Sequence, residues 1–297
     1  IGAGISGISM ACHLQDECPD RSFLLLEGRD DIGGTWDLFK YPGIRSDSDM
    51  HTLGFRFKPW KHEKSIADGP SIMDYLRETV DENGLKANIR FNTRVERADW
   101  DSNTATWTLT ARRSDTGETV QYTANFVAMC SGYYSYKGGF DPEFPGREQF
   151  GGMVVHPQKW PEDLDYTGKR VVVIGSGATA MTIVPAMADK AAHVTMLQRT
   201  PTWMVSRPDV DAFANRLRRV LPAKVAYGIT RFRNTTMQQI VYGRSRTHPE
   251  QVRENILAML RKELPEGYDI DKHFTPSYNP WDQRLCLVPN SDFFRAI

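Results

Sequence analysis

Two glycine-rich turns constrain this chain more than any other feature. Gly2-Ala3-Gly4-Ile5-Ser6-Gly7 and Gly175-Ser176-Gly177-Ala178-Thr179-Ala180 each open a stretch with helical patterning. Each is followed by a second apolar run of strand length, Ser22–Glu27 in one case and Val194–Gln198 in the other. The second turn is also preceded by one, Arg170–Ile174. A strand, a glycine turn, a helix and a further strand form a unit in which the backbone approaches a pyrophosphate, and the phosphates settle on the helix N-terminus. One such turn is weak evidence; two, each in strand–turn–helix context, predict an α/β chain with two Rossmann-like dinucleotide-binding domains and a helical insertion. Ile1 abuts the first motif, so the chain is expected to begin inside an element. Phe293–Ile297 carries no terminating signal, so the other end is expected to be cut too.

The residues that close the second strands separate the two sites. Glu27 ends the first one. A carboxylate there accepts hydrogen bonds from a ribose hydroxyl and repels a 2′-phosphate, which fits FAD or NAD. The second ends in Gln198-Arg199-Thr200: the acid is gone and a guanidinium, whose planar donors suit phosphate, has taken its place. That points to NADP(H). Ala180 stands for the third glycine, an accepted variant of the motif. The candidate cofactor residues are therefore Gly2, Gly4, Gly7 and Glu27 for the first site, and Gly175, Gly177, Ala180, Arg199 and Thr200 for the second. Two such sites in one chain suggest a flavoprotein reduced by NADPH.

Elsewhere the sequence narrows the choice by exclusion. Lys+Arg and Asp+Glu are both 37 in 297 residues, which disfavours nucleic-acid binding by bulk charge. No apolar run is long enough to span a bilayer. Cys12, Cys18, Cys130 and Cys286 are scattered, without a CxxC pair for a metal or a redox disulfide, and a reducing, cytoplasmic setting follows. Residues 33–70 lack periodicity and are expected to be ordered loop. Ile72 to Asn83 is expected to be a helix ended by Gly84. Thr104–Arg112 and Thr119–Gly132 are expected to pair as a hairpin across Asp115-Thr116-Gly117. Residues 211–264 have helical patterning with arginines throughout, expected as solvated faces around an apolar stripe; an amphipathic basic helix can also touch lipid. The domains drawn from this are 1–147 for FAD, 148–209 with 281–297 for NADP, and 210–280 as the insertion.

The connection between the glycine units carries Phe150-Gly151-Gly152-Met153-Val154-Val155-His156-Pro157-Gln158-Lys159-Trp160-Pro161. It matches FxGxxxHxxxWP at every fixed position and resembles the fingerprint of the Baeyer–Villiger flavin monooxygenases. Gly33-Gly34-Thr35-Trp36 and Tyr41-Pro42-Gly43-Ile44-Arg45-Ser46-Asp47 extend the resemblance, which covers essentially the whole chain. Within that family the chain is most similar to the ethionamide-activating type. Related sulfur- and nitrogen-oxygenating flavin monooxygenases share both glycine turns but usually lack Trp-Pro at this point.

The resemblance implies an enzyme that uses FAD, NADPH and O2 to insert one oxygen atom into a ketone through a flavin peroxide, giving an ester or lactone. Sulfides and thioamides are further candidate substrates. It implies that Gly34, Thr35, Trp36 and Asp47 lie near the flavin, and that Arg284 is the active-site cation, positioned by Asp47. A fixed cation suits an anionic peroxide and a negative adduct. His156 is implied to couple the two domains rather than to move protons. In better-known relatives a lysine often precedes the arginine; here it is Gln283, which removes one cation from the NADP site. The alternatives are a sulfur- or nitrogen-oxygenating enzyme, or an inactive nucleotide-binding fragment. No metal or nucleic-acid partner is expected, and the oligomeric state stays open.

Overall fold

The computed structural model describes residues 1–297. In chain order the elements are α1 (Ile5–Glu17), β1 (Leu25–Leu26), α2 (Thr35–Leu38), α3 (Met50–Leu53), α4 (Gly69–Glu82), β2 (Ile89–Arg90), β3 (Thr93–Asp101), β4 (Thr106–Arg113), β5 (Thr119–Ala124), β6 (Arg170–Ile174), α5 (Ala178–Ala188), β7 (His193–Leu197), β8 (Trp203–Arg207), α6 (Ala212–Val220), α7 (Ala223–Thr247), α8 (Pro249–Glu263), α9 (Ile270–Phe274), β9 (Leu285–Pro289) and α10 (Asp292–Arg295). They group into two compact units, residues 1–40 with 70–160, and residues 41–69 with 161–297. Residues 41–69, which the sequence places with the first glycine turn, thus pack within the second unit.

In the first unit α1 buries Gly7, Ile8, Ala11 and Cys12, one stripe at helical spacing. Gly7 is required there: a Cβ would lie 1.9 Å from the carbonyl oxygen of Gly2. α4 buries Ile72, Tyr75, Leu76, Thr79 and Val80, the i, i+3, i+4, i+7, i+8 set. β1 pairs in parallel with β2, while β3, β4 and β5 form an antiparallel meander.

Two expectations shorten here. Of Ser22–Glu27 only Leu25–Leu26 is strand, because its partner, Ile89–Arg90, is itself two residues long. The second hairpin strand ends at Ala124, which lies opposite Trp107 near the start of β4. Beyond it the chain runs beside residue 1 instead, with the Ile1 amino group donating to Ala128 O at 2.7 Å and Cys130 N–H to Ile1 O at 2.8 Å. The expected loop of 33–70 also contains two short helices, α2 and α3.

In the second unit β6 and β7 are parallel, as are β8 and β9. β6, α5 and β7 fall within a residue or two of their sequence-drawn bounds. β8 and β9 were not anticipated. They sit among prolines and find each other across 77 intervening residues (208–284). Their side chains Trp203, Met204, Cys286 and Val288 pack with Met181 and Val184 of α5, Leu257 and Leu260 of α8, and Phe293 and Phe294 of α10. This core fixes the second glycine turn and the C-terminal segment as one body. No helix is long and apolar enough to cross a membrane.

Candidate functional site

The first glycine turn lines an open cleft with an enclosed volume of about 90 Å³. Gly2 N–H donates to Leu26 O at 2.8 Å, tying the turn to β1. Glu27 is 1% exposed; its Oε2 accepts from Ala3 N–H at 2.7 Å and its Oε1 from Arg29 N–H at 3.0 Å. Two backbone amides therefore hold the carboxylate against the turn, and its remaining lone pairs can accept from a ribose. The N-terminus of α1 has no side-chain cap at Gly4, so its first amides are available to an anion. A Cβ on Gly4 would meet only Gly34, at 3.6 Å from its Cα.

Gly34 (φ 55°) opens α2, and Thr35 and Trp36 complete the same wall of the cleft. Of the first-site candidates, Gly2, Gly4, Glu27, Gly34, Thr35 and Trp36 all line it. Gly7 lies behind, where it allows the helix to approach. Sequence reasoning missed Cys130, Tyr134 and Tyr136, which also line the cleft. Tyr136 stacks under the Arg29 guanidinium at 5.4 Å, and burial pushes its hydroxyl above the usual tyrosine value. No local pattern marked these residues; their position depends on the 128–130 strip lying beside Ile1.

The second turn repeats the arrangement with different chemistry. Gly175 takes φ +131° and donates its N–H to Leu197 O at 2.8 Å. Gly177 caps α5 in extended conformation without a side-chain cap, and Ala180 is buried. Ser176 Oγ donates to Thr200 O at 2.8 Å, and Thr202 Oγ1 donates to Ser176 O at 2.6 Å, so the turn and the 199–202 loop are fastened together. Gln198 Nε2 donates to His273 O at 2.8 Å. Arg199 next to it is exposed. The donor set is neutral or cationic at this strand end, as a phosphorylated ribose requires.

Arg284 reaches the second unit's turn, and Asp47 lies near enough to act on the same thiol, but the two do not pair. Both are exposed, and no hydrogen bond or ion pair joins them. The Arg284 Nη1 lies 3.8 Å from where a Gly177 Cβ would stand. Both charges act on Cys286: burial pushes its thiol up to about 11, opposed by Arg284 and reinforced by Asp47. The loop that carries Asp47 is anchored firmly. Gly43 sits so close to α5 that a Cβ would fall 2.6 Å from Ala186 Cβ, and Arg45 forms an ion pair with Asp292.

In the connecting fingerprint His156 Nδ1 accepts from Gln158 N–H at 3.2 Å and its ring packs over Gly139, where a Cβ would clash at 2.5 Å. Gln158 in turn donates to Ser135 O at 2.6 Å. These contacts give His156 a capping and packing role in this unit.

The flavin-binding monooxygenase-like family model matches residues 60–266, more than half of the chain, and an NAD(P)-binding Rossmann-like domain model matches residues 1–77. Among curated relatives, the FAD-containing monooxygenase EthA of Mycolicibacterium smegmatis is 55% identical over the whole of this chain and 60% of its own length. The probable FAD-binding monooxygenase AlmA of Acinetobacter baylyi is 51% identical over the whole chain and 59% of its own length. The chain thus spans about 60% of the length of these relatives. Among solved structures, a cyclohexanone monooxygenase variant from Rhodococcus bound to NADP+ superposes with a TM-score of 0.61 at 32% identity, covering 69% of this chain and 39% of that one. An oxidized steroid monooxygenase bound to NADP shares the fold, with a TM-score of 0.79 at 23% identity over 100% of this chain and 63% of that one. With both glycine turns in place and this match across most of its length, the chain belongs to the flavin-binding monooxygenase-like family.

Proposed function

We propose that the protein is an FAD- and NADPH-dependent monooxygenase of the Baeyer–Villiger type, with FAD at the first turn and NADPH at the second. The observation that carries the reading is the contrast between the two strand ends. Glu27 is held by two backbone amides against an uncapped helix N-terminus, while Gln198-Arg199 stands at the other with no acid. Both cradles fit their cofactors, since Gly4 and Gly177 leave backbone open where a side chain would intrude. The accompanying domain reading is 1–147 for FAD, of which residues 41–69 pack within the second compact unit, 148–209 with 281–297 for NADP, and 210–280 as insertion.

When bound, the flavin supplies the oxygen-activating chemistry and the nicotinamide its reducing equivalents. The residues of this chain bind and orient. Gly2, Gly4 and the first amides of α1 take the pyrophosphate, Glu27 accepts from the ribose, and Thr35 and Trp36 wall the cleft. Arg199 and Thr200 hold the 2′-phosphate. Arg284, held at the second turn by the start of β9, is the cation that stabilises negative charge developing on the substrate oxygen, with the Asp47 carboxylate as its nearby counter-charge; the substrate is a small ketone or a sulfur compound. The test is the visible spectrum of the purified full-length protein under anaerobic conditions. A bound flavin bleached readily by NADPH and poorly by NADH supports the reading; a colourless protein, or equal bleaching by both, counts against it.

A further inference from the structure

The stretch Ala212–His248, which spans α6 and α7, contains eight Lys and Arg residues and no Asp or Glu, in a chain whose formal net charge is zero. Four of the eight are occupied. Arg218 donates to His62 O at 3.0 Å, and Arg231 Nη1 to the carbonyls of His51, Thr52 and Gly54 at 2.8, 3.0 and 2.9 Å. Arg233 pairs with Asp211 and Arg246 with Asp282. Arg216, Arg219, Lys224 and Arg244 are exposed and meet no carboxylate.

Between these cations runs an apolar ridge. Val225, Ile229, Phe232 and Ile240 recur at helical spacing and share one face of α7. They are 49%, 42%, 74% and 46% exposed, and Val220 at the end of α6 is 73% exposed. A globular helix ordinarily turns such a stripe inward.

The chemistry of this surface favours one occupant. Another open apolar face, Val172, Ile174 and Leu197 on β6 and β7, belongs to a two-stranded ribbon with unpaired edges and calls for more strand or helix. α7 has its backbone hydrogen bonds satisfied within the helix and needs only a medium for its ridge. A nucleic acid would use the cations and leave Phe232 and Val220 in water. Arginine and aromatic residues are common in protein interfaces too, but a protein partner would have to bring carboxylates to meet all four cations. An apolar ridge bordered by unpaired cations matches the boundary between acyl chains and anionic headgroups. We infer that the α6–α7 surface docks on an anionic lipid membrane, with Phe232 and Val220 entering the acyl boundary. Arg216, Arg219, Lys224 and Arg244 lie at the phosphates. Each such cation contributes about fivefold to partitioning. This surface would hold the enzyme where apolar substrates are concentrated.

Sedimentation of the full-length protein with vesicles tests it, using phosphatidylcholine alone or mixed with phosphatidylglycerol. The protein should sediment with the mixed vesicles at low salt, stay in solution with phosphatidylcholine alone, and be released by high salt. Arg219→Glu with Lys224→Glu, and separately Phe232→Ser with Val220→Ser, should each weaken sedimentation by roughly tenfold or more. Flavin content and NADPH oxidation should be unchanged. The inference is overturned if the parent protein stays in solution with both vesicles. It is equally overturned if the charge-reversed form still sediments, or if the face proves to join two copies, seen as a dimer that Phe232→Ser dissociates.

Discussion

The guanidinium of Arg284 stands over the second glycine turn, with Nη1 3.8 Å from the position a Gly177 Cβ would take. It is brought there by β9, which begins one residue later and pairs with β8, the strand that leaves the 199–202 loop. A cation thus adds to the positive end of α5, where a pyrophosphate would rest. Arg284→Ala should weaken NADP+ binding by about one to two powers of ten, the worth of a charge-assisted contact. Ketone conversion should fall on the order of 10²–10³, with hydrogen peroxide released in place of ester. FAD should stay bound, because Glu27 and the first turn are untouched. Calorimetric titration with NADP+ and product analysis check the two halves; normal values in both would remove Arg284 from the site.

Arg199→Ala tests the reading of the 2′-phosphate. The KM for NADPH should rise by about tenfold to a hundredfold while that for NADH changes little. Equal effects on the two cofactors would show that Arg199 is an ordinary surface charge.

The glycine turns should respond differently to the same small change. In Gly7→Ala the new methyl meets the Gly2 carbonyl at 1.9 Å, so α1 must move away from the turn. That should cost about 1–3 kcal/mol of stability and release flavin. At Gly177 the space is open apart from Arg284. Gly177→Ala should keep a normal Tm and its flavin, and lose NADP+ affinity. Thermal melts followed by flavin fluorescence distinguish the two outcomes.

Buried thiols set an alkaline limit. Burial pushes Cys12 and Cys286 up to about 11, Cys12 also by the nearby Asp16 carboxylate. An acid whose folded value lies above its unfolded one adds stability that is complete below the unfolded value. That stability is lost as pH rises toward the folded value. Each thiol should therefore weaken the fold between about pH 9 and 11, by up to about 1.4 kcal/mol per pH unit. Denaturant titrations across that range should show a smaller loss in Cys286→Ala.

The glycine turns, the placement of Glu27 against the first of them and the helices of 211–264 were legible because each follows from local backbone geometry or a repeating pattern. What escaped depends on distant partners. Tyr134 and Tyr136 wall the first cleft only because residues 128–130 run beside Ile1. β8 and β9 are short and flanked by prolines, and each exists only because the other does. Asp47 and Arg284 were expected as a bonded pair; the structure instead fastens the Asp47 loop through Arg45 and Asp292 and leaves Arg284 at the turn. Single residues could be read from sequence, whereas their pairing was decided by strand partnerships.

The most direct test of the whole account follows oxygen into product. The full-length enzyme is given NADPH, a cyclic ketone and isotopically labelled O2, and the product is examined by mass spectrometry. A lactone carrying one labelled oxygen atom for each NADPH consumed is the expected product. NADPH oxidation with no labelled lactone, or label appearing only as a sulfoxide when a sulfide is supplied, would contradict it.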